Sequence, residues 1–193
     1  MSEKPILFSG PMVRAILDGS KTQTRRVVKA PDWFEGHKIG FKTYDESLPL
    51  KDRMGLYNEV ICSRDGDDQK CCPYGNAFDR LWVRETFTEG EGVVYRADWD
   101  ADFPYISLKG LWKPSIFMPR RLCRIVLEVT GVTVERLNDI SRGDAMQEGC
   151  PFSNMQVGPD PRQWFCGLWE SINGPNSWRK NPWVWVVRFR RLP

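Results

Sequence analysis

The sequence predicts an α+β domain built on a small barrel or curled sheet with flanking helices. Three observations carry that expectation. Residues 122–137 are the most β-rich part of the chain, with Arg124, Val126, Glu128 and Thr130 alternating against Ile125, Leu127 and Val129, and Gly131 marking a bulge or bend. Near the C-terminus Trp183, Trp185, Val187 and Phe189 share one face of a strand while Arg188 and Arg190 take the other. Between the two, Trp164, Phe165, Leu168, Trp169 and Ile172 form a helical stripe, read as core packing.

The remaining elements follow in chain order. Residues 5–8 are a short apolar run, read as a first strand. Gly10 to Leu17 reads as a helix, with Pro11 at the first helical position and Val13, Ile16 and Leu17 at i, i+3 and i+4. Gly19 suits the left-handed position that ends it. Val27 and Val28 look like the start of the next strand, so Gly19 to Arg26 is expected on a loop. Residues 30–75 are rich in Gly, Asp and Lys and have weak periodicity, and they read as an insertion in a single domain spanning 1–193. The insertion carries the one histidine, His37, read as a surface residue, and a short strand at Val60-Ile61-Cys62.

Leu81 to Phe87 is a strong strand signal, with Leu81, Val83, Glu85 and Phe87 on one face and Trp82, Arg84 and Thr86 on the other. A carboxylate at 85 in an apolar row is costly to bury unpaired, so it either pairs with an arginine at the rim or faces a site. Val93 to Ala97 reads as the hairpin partner across Glu89-Gly90-Glu91-Gly92. Residues 98–115 read as a second loop, and Ile116 to Met118 as a short β segment. Ser141 with Asp144 forms a capping pair for a short helix, Arg142 to Glu148, ending at Gly149. Asp160 and Pro161 open the aromatic-striped helix and Gly174-Pro175 closes it.

Bulk properties set the outer bounds. A chain of 193 residues with 41% hydrophobic content is long and apolar enough for one real core. A net charge of +3 does not by itself announce nucleic acid. Arg120, Arg121 and Arg124, and the C-terminal Arg188, Arg190 and Arg191, lie among aromatics, which fits a nucleotide or single-stranded RNA partner as well as it fits a solvated face. No run approaches the roughly 18 apolar residues of a membrane span, and no signal-peptide pattern appears, so a cytoplasmic protein with reduced thiols and no membrane partner is expected. Cys62, Cys71 and Cys72 lack the Cys-x2-Cys pairing of metal clips, so neither a metal nor a cofactor is expected.

The chemistry concentrates in Gly19-Ser20-Lys21-Thr22-Gln23-Thr24-Arg25-Arg26. A threonine hydroxyl attacks only if a base takes its proton. A lysine acts as that base only if desolvation or nearby positive charge lowers its pKa, and Arg25 and Arg26 are close enough in sequence to supply the charge. The competing reading is a solvated basic loop.

The run resembles the signature loop of the ASCH domain family, a branch of the PUA-like fold. It is most similar to the Gly-x-Lys-Thr-x-Thr-x-Arg loop of the small bacterial N4-acetylcytidine amidohydrolases, with Gly19, Lys21, Thr22, Thr24 and Arg26 at every fixed position. Phe8-Ser9-Gly10-Pro11 and Leu81 to Phe87 resemble the larger phage- and prophage-associated members, and the likeness covers residues 4–29, 76–97 and 116–192. It implies a PUA-like pseudobarrel, with Lys21 as base, Thr24 as nucleophile and a later glutamate as proton donor. Ile140 to Glu148 has the spacing of the segment that carries that glutamate, which makes Glu148 the choice and Glu85 its rival. Arg26, Trp82, Arg84 and Glu85 are the expected substrate-contacting positions. The amidohydrolases are roughly half as long as this chain and lack its Trp-rich C-terminal part. Three functions therefore stay open: amidohydrolysis of an N-acylated cytosine nucleoside or related base, binding of RNA or a modified nucleotide without turnover, and ribonuclease action.

Overall fold

The computed structural model describes residues 2–29, 39–41, 59–62, 69–99, 111–152 and 160–193. In chain order the elements are β1 (Glu3–Leu7), α1 (Gly10–Leu17), β2 (Gln23–Val27), β3 (Ile39–Phe41), β4 (Glu59–Cys62), β5 (Gln69–Lys70), β6 (Arg80–Arg84), β7 (Phe87–Glu89), β8 (Val93–Tyr95), β9 (Val126–Arg136), α2 (Arg142–Gln147), α3 (Pro161–Asn173) and β10 (Trp183–Arg191). The class is α+β, as expected. Five strands form the main sheet in the order β1-β6-β9-β10-β2, with β1 parallel to β6 and the other neighbours antiparallel. Among the described residues β1 and β2 are its two edges, so the strand pairing leaves the sheet open rather than closed into a barrel. β3, β4 and β5 make a small separate sheet, and β7 pairs with β8. Most of the 30–75 segment, His37 included, lies outside the described residues.

β10 organises the interior. Its run Trp183-Val184-Trp185-Val186-Val187 is apolar at consecutive positions, the pattern of a strand covered on both faces. Trp185, Val187 and Phe189 join one core with Ile6, Leu81 and Val129. Val184 and Val186 join a second with Leu137, Ala145, Phe165 and Trp169. Fully burying each of these large side chains contributes roughly 1.5–3 kcal/mol. The second core therefore fixes α2 and α3 against the sheet, and with them the end of α2 against β2. Along β9 the bulge lies beside Gly131, as expected: Arg188 faces Gly131 and Phe189 faces Val129, leaving Thr130 as the extra residue.

The caps also match their signals. Ser141 and Asp144 form a capping box on α2, with the Asp144 N–H donating to Ser141 Oγ at 3.0 Å. Asp160 caps α3 by accepting from the Arg162 N–H. Four expected boundaries change. Ser115–Phe117 is a 3-10 turn instead of a strand, because Pro114 and Pro119 flank it and neither has an N–H to give a ladder. The Leu81–Phe87 strand divides into β6 and β7 around Glu85 and Thr86, though its alternation holds: Leu81, Val83, Glu85 and Phe87 are all buried. Glu148 is the C-cap of α2 and not its last turn. β2 begins at Gln23, so Thr24, Arg25 and Arg26 are strand residues and not loop residues.

Gly149 permits the closest approach in this region. Its φ is +94°, and a Cβ added there sits 2.9 Å from the Ala15 Cβ and 3.2 Å from the Lys21 Cβ. Gly149→Ala combines overpacking, roughly 1–3 kcal/mol, with left-handed strain of roughly 1–2 kcal/mol. The melting temperature is expected to fall by about 4–20 °C, since each kcal/mol moves it roughly 2–4 °C at this chain length. An unchanged thermal melt would show that α1 and Lys21 do not pack on Gly149.

Candidate active site

In the polar run that the sequence left between a loop and a site, Lys21, Gln23, Thr24 and Arg25 are buried and Arg26 is half-buried, while Gly19, Ser20 and Thr22 stay exposed. β2 lies along β10, with Thr24 opposite Val187 and Arg26 opposite Trp185. Just before it, Lys21 forms a β-bridge with Glu148, and the Thr22 N–H donates to the Gln147 carbonyl at 2.9 Å. The strand period of two then places Lys21, Gln23 and Arg25 on one face, toward α2. Lys21 Nζ donates to Glu148 Oε2 at 2.8 Å and to the Glu148 carbonyl at 2.9 Å. Arg25 Nη1 donates to Glu148 Oε1 at 3.0 Å, and Arg25 Nε to Glu135 Oε1 at 2.8 Å. Gln23 Nε2 donates to the carbonyl of Asp144 at 2.9 Å and to its Oδ1 at 3.1 Å.

The electrostatics follow from the burial. The side chains of Lys21 and Arg25 are 0% exposed and that of Glu148 is 2% exposed. Two buried cations thus share one buried carboxylate, an arrangement that survives desolvation because both Glu148 oxygens, Lys21 Nζ, and Arg25 Nε and Nη1 are hydrogen-bonded. Burial holds the Lys21 ammonium below its ordinary range; Arg26 and Arg25 push the same way, and Glu148 opposes them. This is the direction that the sequence asked of a lysine base. Burial also raises Glu135, against the opposing pull of Arg25.

Thr24, 3% exposed, lines a cavity of about 60 Å³ between β2 and α3, together with Arg26, Glu148, Phe165 and Trp169. Arg26 Nη2 donates to the Leu7 carbonyl at 2.6 Å, and its guanidinium lies over the rings of Phe8 and Tyr74. Lys21 Nζ lies 5.7 Å from the centre of the same Phe8 ring. Of Lys21, Thr24, Arg26, Glu85 and Glu148, expected to line one site, all but Glu85 are therefore one neighbourhood.

The other expected positions belong to a second one. Glu85 is 1% exposed and takes a two-pronged pair from Arg124, Nε to Oε1 and Nη2 to Oε2, both at 2.8 Å. Arg124 also pairs with Asp98 and stacks 4.0 Å from the Tyr95 ring centre. Of the two options that the sequence left for Glu85, pairing with arginine is the one that the structure takes. The guanidinium groups of Arg84 and Arg120 lie over the Trp82 ring, at 5.2 and 5.9 Å, and Arg84 donates to the carbonyls of Met118 and Ile116.

Sequence reasoning used Arg25 only as a charge near Lys21 and missed its pairing with Glu148; it also missed Gln23, Glu135 and Asp144 as members of the first neighbourhood, and Phe165 and Trp169 as its wall. Parity was the available signal for two of them: once β2 starts at Gln23, residues 21, 23 and 25 share a face. Among the described residues no group of three or more His, Cys, Asp or Glu is placed to hold a metal ion. Cys72 is buried, and burial pushes its thiol up to about 12. No helix among the described residues is long and apolar enough to cross a membrane.

No protein-family model matches the chain, and no curated protein does. In overall shape it is similar to the crystal structure of an ASCH domain from Lactobacillus crispatus JV V101, at 12% identity and a TM-score of 0.45, over 98% of this chain and 79% of that one.

Proposed function

We propose that the protein is an amidohydrolase acting on an N-acylated cytosine nucleoside or a related modified base, with Lys21 as base, Thr24 as nucleophile and Glu148 as proton donor. The observation that carries this reading is the water-excluded Lys21–Glu148 pair, 2.8 Å apart, beside a cavity lined by Thr24. At rest the shared proton sits on Lys21. Its transfer along that hydrogen bond yields a neutral amine and a carboxylic acid in a single move, which supplies both groups that amide cleavage needs.

The neutral Lys21 amine takes the Thr24 hydroxyl proton as Oγ1 bonds to the acyl carbon. The carbon–nitrogen bond then breaks, and the Glu148 proton goes to the departing amine. The products of this half are an acyl ester on Thr24, the free amino base and the ion pair in its resting form. Hydrolysis of the ester repeats the cycle with water: Lys21 takes the water proton, and Glu148 returns one to Thr24 Oγ1. Arg25, fixed by Glu135, holds the other Glu148 oxygen in place, and Arg26 offers charge to the developing oxyanion.

A second reading, a nucleotide- or RNA-binding module without turnover, is favoured by the other neighbourhood, where Trp82 stacks with two guanidinium groups and Phe117 is 65% exposed. The deciding experiment incubates the protein with N4-acetylcytidine and follows the ultraviolet shift to cytidine and the release of free acetate. Turnover is the expected result. Its absence across a set of N4-acylcytidines would sink the amidohydrolase reading and leave binding.

A further inference from the structure

We infer that Glu135 is a positioning residue for the Lys21–Glu148 pair, and that it acts through Arg25 on which of the two holds their shared proton. This rests on the amidohydrolase reading and adds to it a residue outside the Lys21–Thr24–Glu148 set and a dependence on pH.

Geometry is the first observation. Arg25 bridges two carboxylates. Its Nε and Nη2 lie 2.8 and 2.7 Å from Glu135 Oε1, and its Nη1 lies 3.0 Å from Glu148 Oε1. Lys21 holds the other Glu148 oxygen, at 2.8 Å. Asp144 stands 3.7 Å from Arg25 Nη2. The side chains of Lys21, Arg25 and Glu148 are closed off from solvent, whereas that of Glu135 is 24% exposed. A line of contacts thus runs from solvent at Glu135 to the buried pair.

Charge is the second observation. In the proposed reaction the Lys21 proton moves to Glu148. A positive charge beside Glu148 favours its ionised form and opposes that move. An ionised Glu135 offsets the Arg25 charge and eases it. Lys21 feels the change less, because Arg25 touches Glu148 directly and is the weakest of the influences on Lys21.

The two carboxylates on the outer side of Arg25 are tuned apart. Burial raises Glu135 above its ordinary range; Arg25 and Arg188 oppose the rise, and Asp144 adds to it. Burial also raises Asp144, but hydrogen bonds with Ser141 and Gln23 and the Arg25 charge outweigh it and hold Asp144 below its ordinary range. On acidification Glu135 therefore takes a proton before Asp144 does, and the Arg25 charge then falls on Glu148. Turnover should decline with that protonation, while the Lys21–Glu148 pair itself keeps the same number of protons.

The experiment compares the pH profiles of kcat on N4-acetylcytidine for wild type, Glu135→Gln and Glu135→Asp. Glu135→Gln keeps an acceptor for Arg25 and removes the charge. Near neutral pH its kcat is expected to lie about 10-fold below wild type, a size within the coupling of one charge network, with KM within a few fold. Wild-type kcat is expected to fall as pH drops through the Glu135 value, and that acid limb to be missing in Glu135→Gln. Glu135→Asp, which keeps the charge, should recover most of kcat and the limb. A residue that only clamped Arg25 in place would lower the melting temperature and leave the shape of the profile alone. An unchanged kcat in Glu135→Gln, or an acid limb retained there, overturns the inference while leaving the amidohydrolase reading intact. If wild type does not turn over, that reading fails on its own. The inference is then judged by the Lys21 Nζ signal in a nitrogen-15 NMR titration, assigned by its disappearance in Lys21→Met. A Lys21 that titrates lower in Glu135→Gln than in wild type supports the coupling through Arg25; the same titration in both overturns it.

Discussion

Lys21→Met is expected to lower N4-acetylcytidine turnover by roughly 10²–10⁴-fold while the protein stays folded. Methionine suits the site for two reasons. It is about as long as lysine and apolar, and the Lys21 side chain is 0% exposed. It also leaves Glu148 with a cation, because Arg25 still donates to Oε1. The large penalty for stranding a buried charge therefore does not arise. What disappears is the one group that can both receive the Thr24 proton and hand one to Glu148. Lys21→Arg is the companion variant. It keeps the charge, but a guanidinium does not deprotonate near neutral pH, so turnover should be lost as well. Its greater bulk adds overpacking of roughly 1–3 kcal/mol, so its melting temperature should fall below that of Lys21→Met. Nucleoside binding, followed by calorimetry, should stay within a few fold in both. Wild-type turnover in Lys21→Met would remove Lys21 from the mechanism.

The sequence made half of this neighbourhood visible, and the divide has a physical cause. Lys21 and Glu148 lie 127 residues apart and meet in one hydrogen bond. Each was marked through the family resemblance, Lys21 by the short loop motif and Glu148 by the spacing of the segment from Ile140 to Glu148. Strands β9 and β10 were equally legible, since apolar and polar positions alternate along them. β2 was not. Its Gln-Thr-Arg-Arg run carries no apolar period, because the sequence places charges where a core strand usually has aliphatic side chains. Those charges are buried only because their partners arrive from far downstream, Glu135 on β9 and Asp144 and Glu148 at α2. Local pattern cannot contain that information. Glu85 shows the same limit in milder form: chemistry required a partner or a site, and Arg124, 39 residues later, decided between them. The α3 stripe was read as core, and Phe165 and Trp169 are core, but the same two rings also wall the cavity. Nothing in a helical period distinguishes a residue that only fills space from one that borders a void.

Glu148→Gln is expected to be the most destabilising of these substitutions, and to be so in a pH-dependent way. The amide removes the one carboxylate shared by Lys21 and Arg25, both 0% exposed. Removing one partner of a buried pair costs roughly 3–5 kcal/mol, so the melting temperature should fall by about 6–20 °C near neutral pH. Arg25 retains Glu135, at 2.8 Å, but Lys21 retains only a carbonyl. The pH dependence then follows from Lys21. Burial lowers it from 10.5 in the folded protein, with Arg26 and Arg25 adding to the effect, and Glu148 is the group that opposes the fall. Between the folded value and 10.5 the unfolded chain binds more protons than the folded one, so stability rises with pH across that window. Taking Glu148 away lowers the folded value further and extends the window downward. The variant should therefore recover part of its deficit relative to wild type as melts are moved from about pH 7 to about pH 9. Adding Lys21→Met to Glu148→Gln removes the stranded ammonium altogether, and the double variant should melt higher than Glu148→Gln alone, a coupling of the kind that contacting charges show. A deficit that is the same at every pH, and that Lys21→Met does not relieve, would mean that Glu148 holds this site together by packing and not as the counter-charge of Lys21.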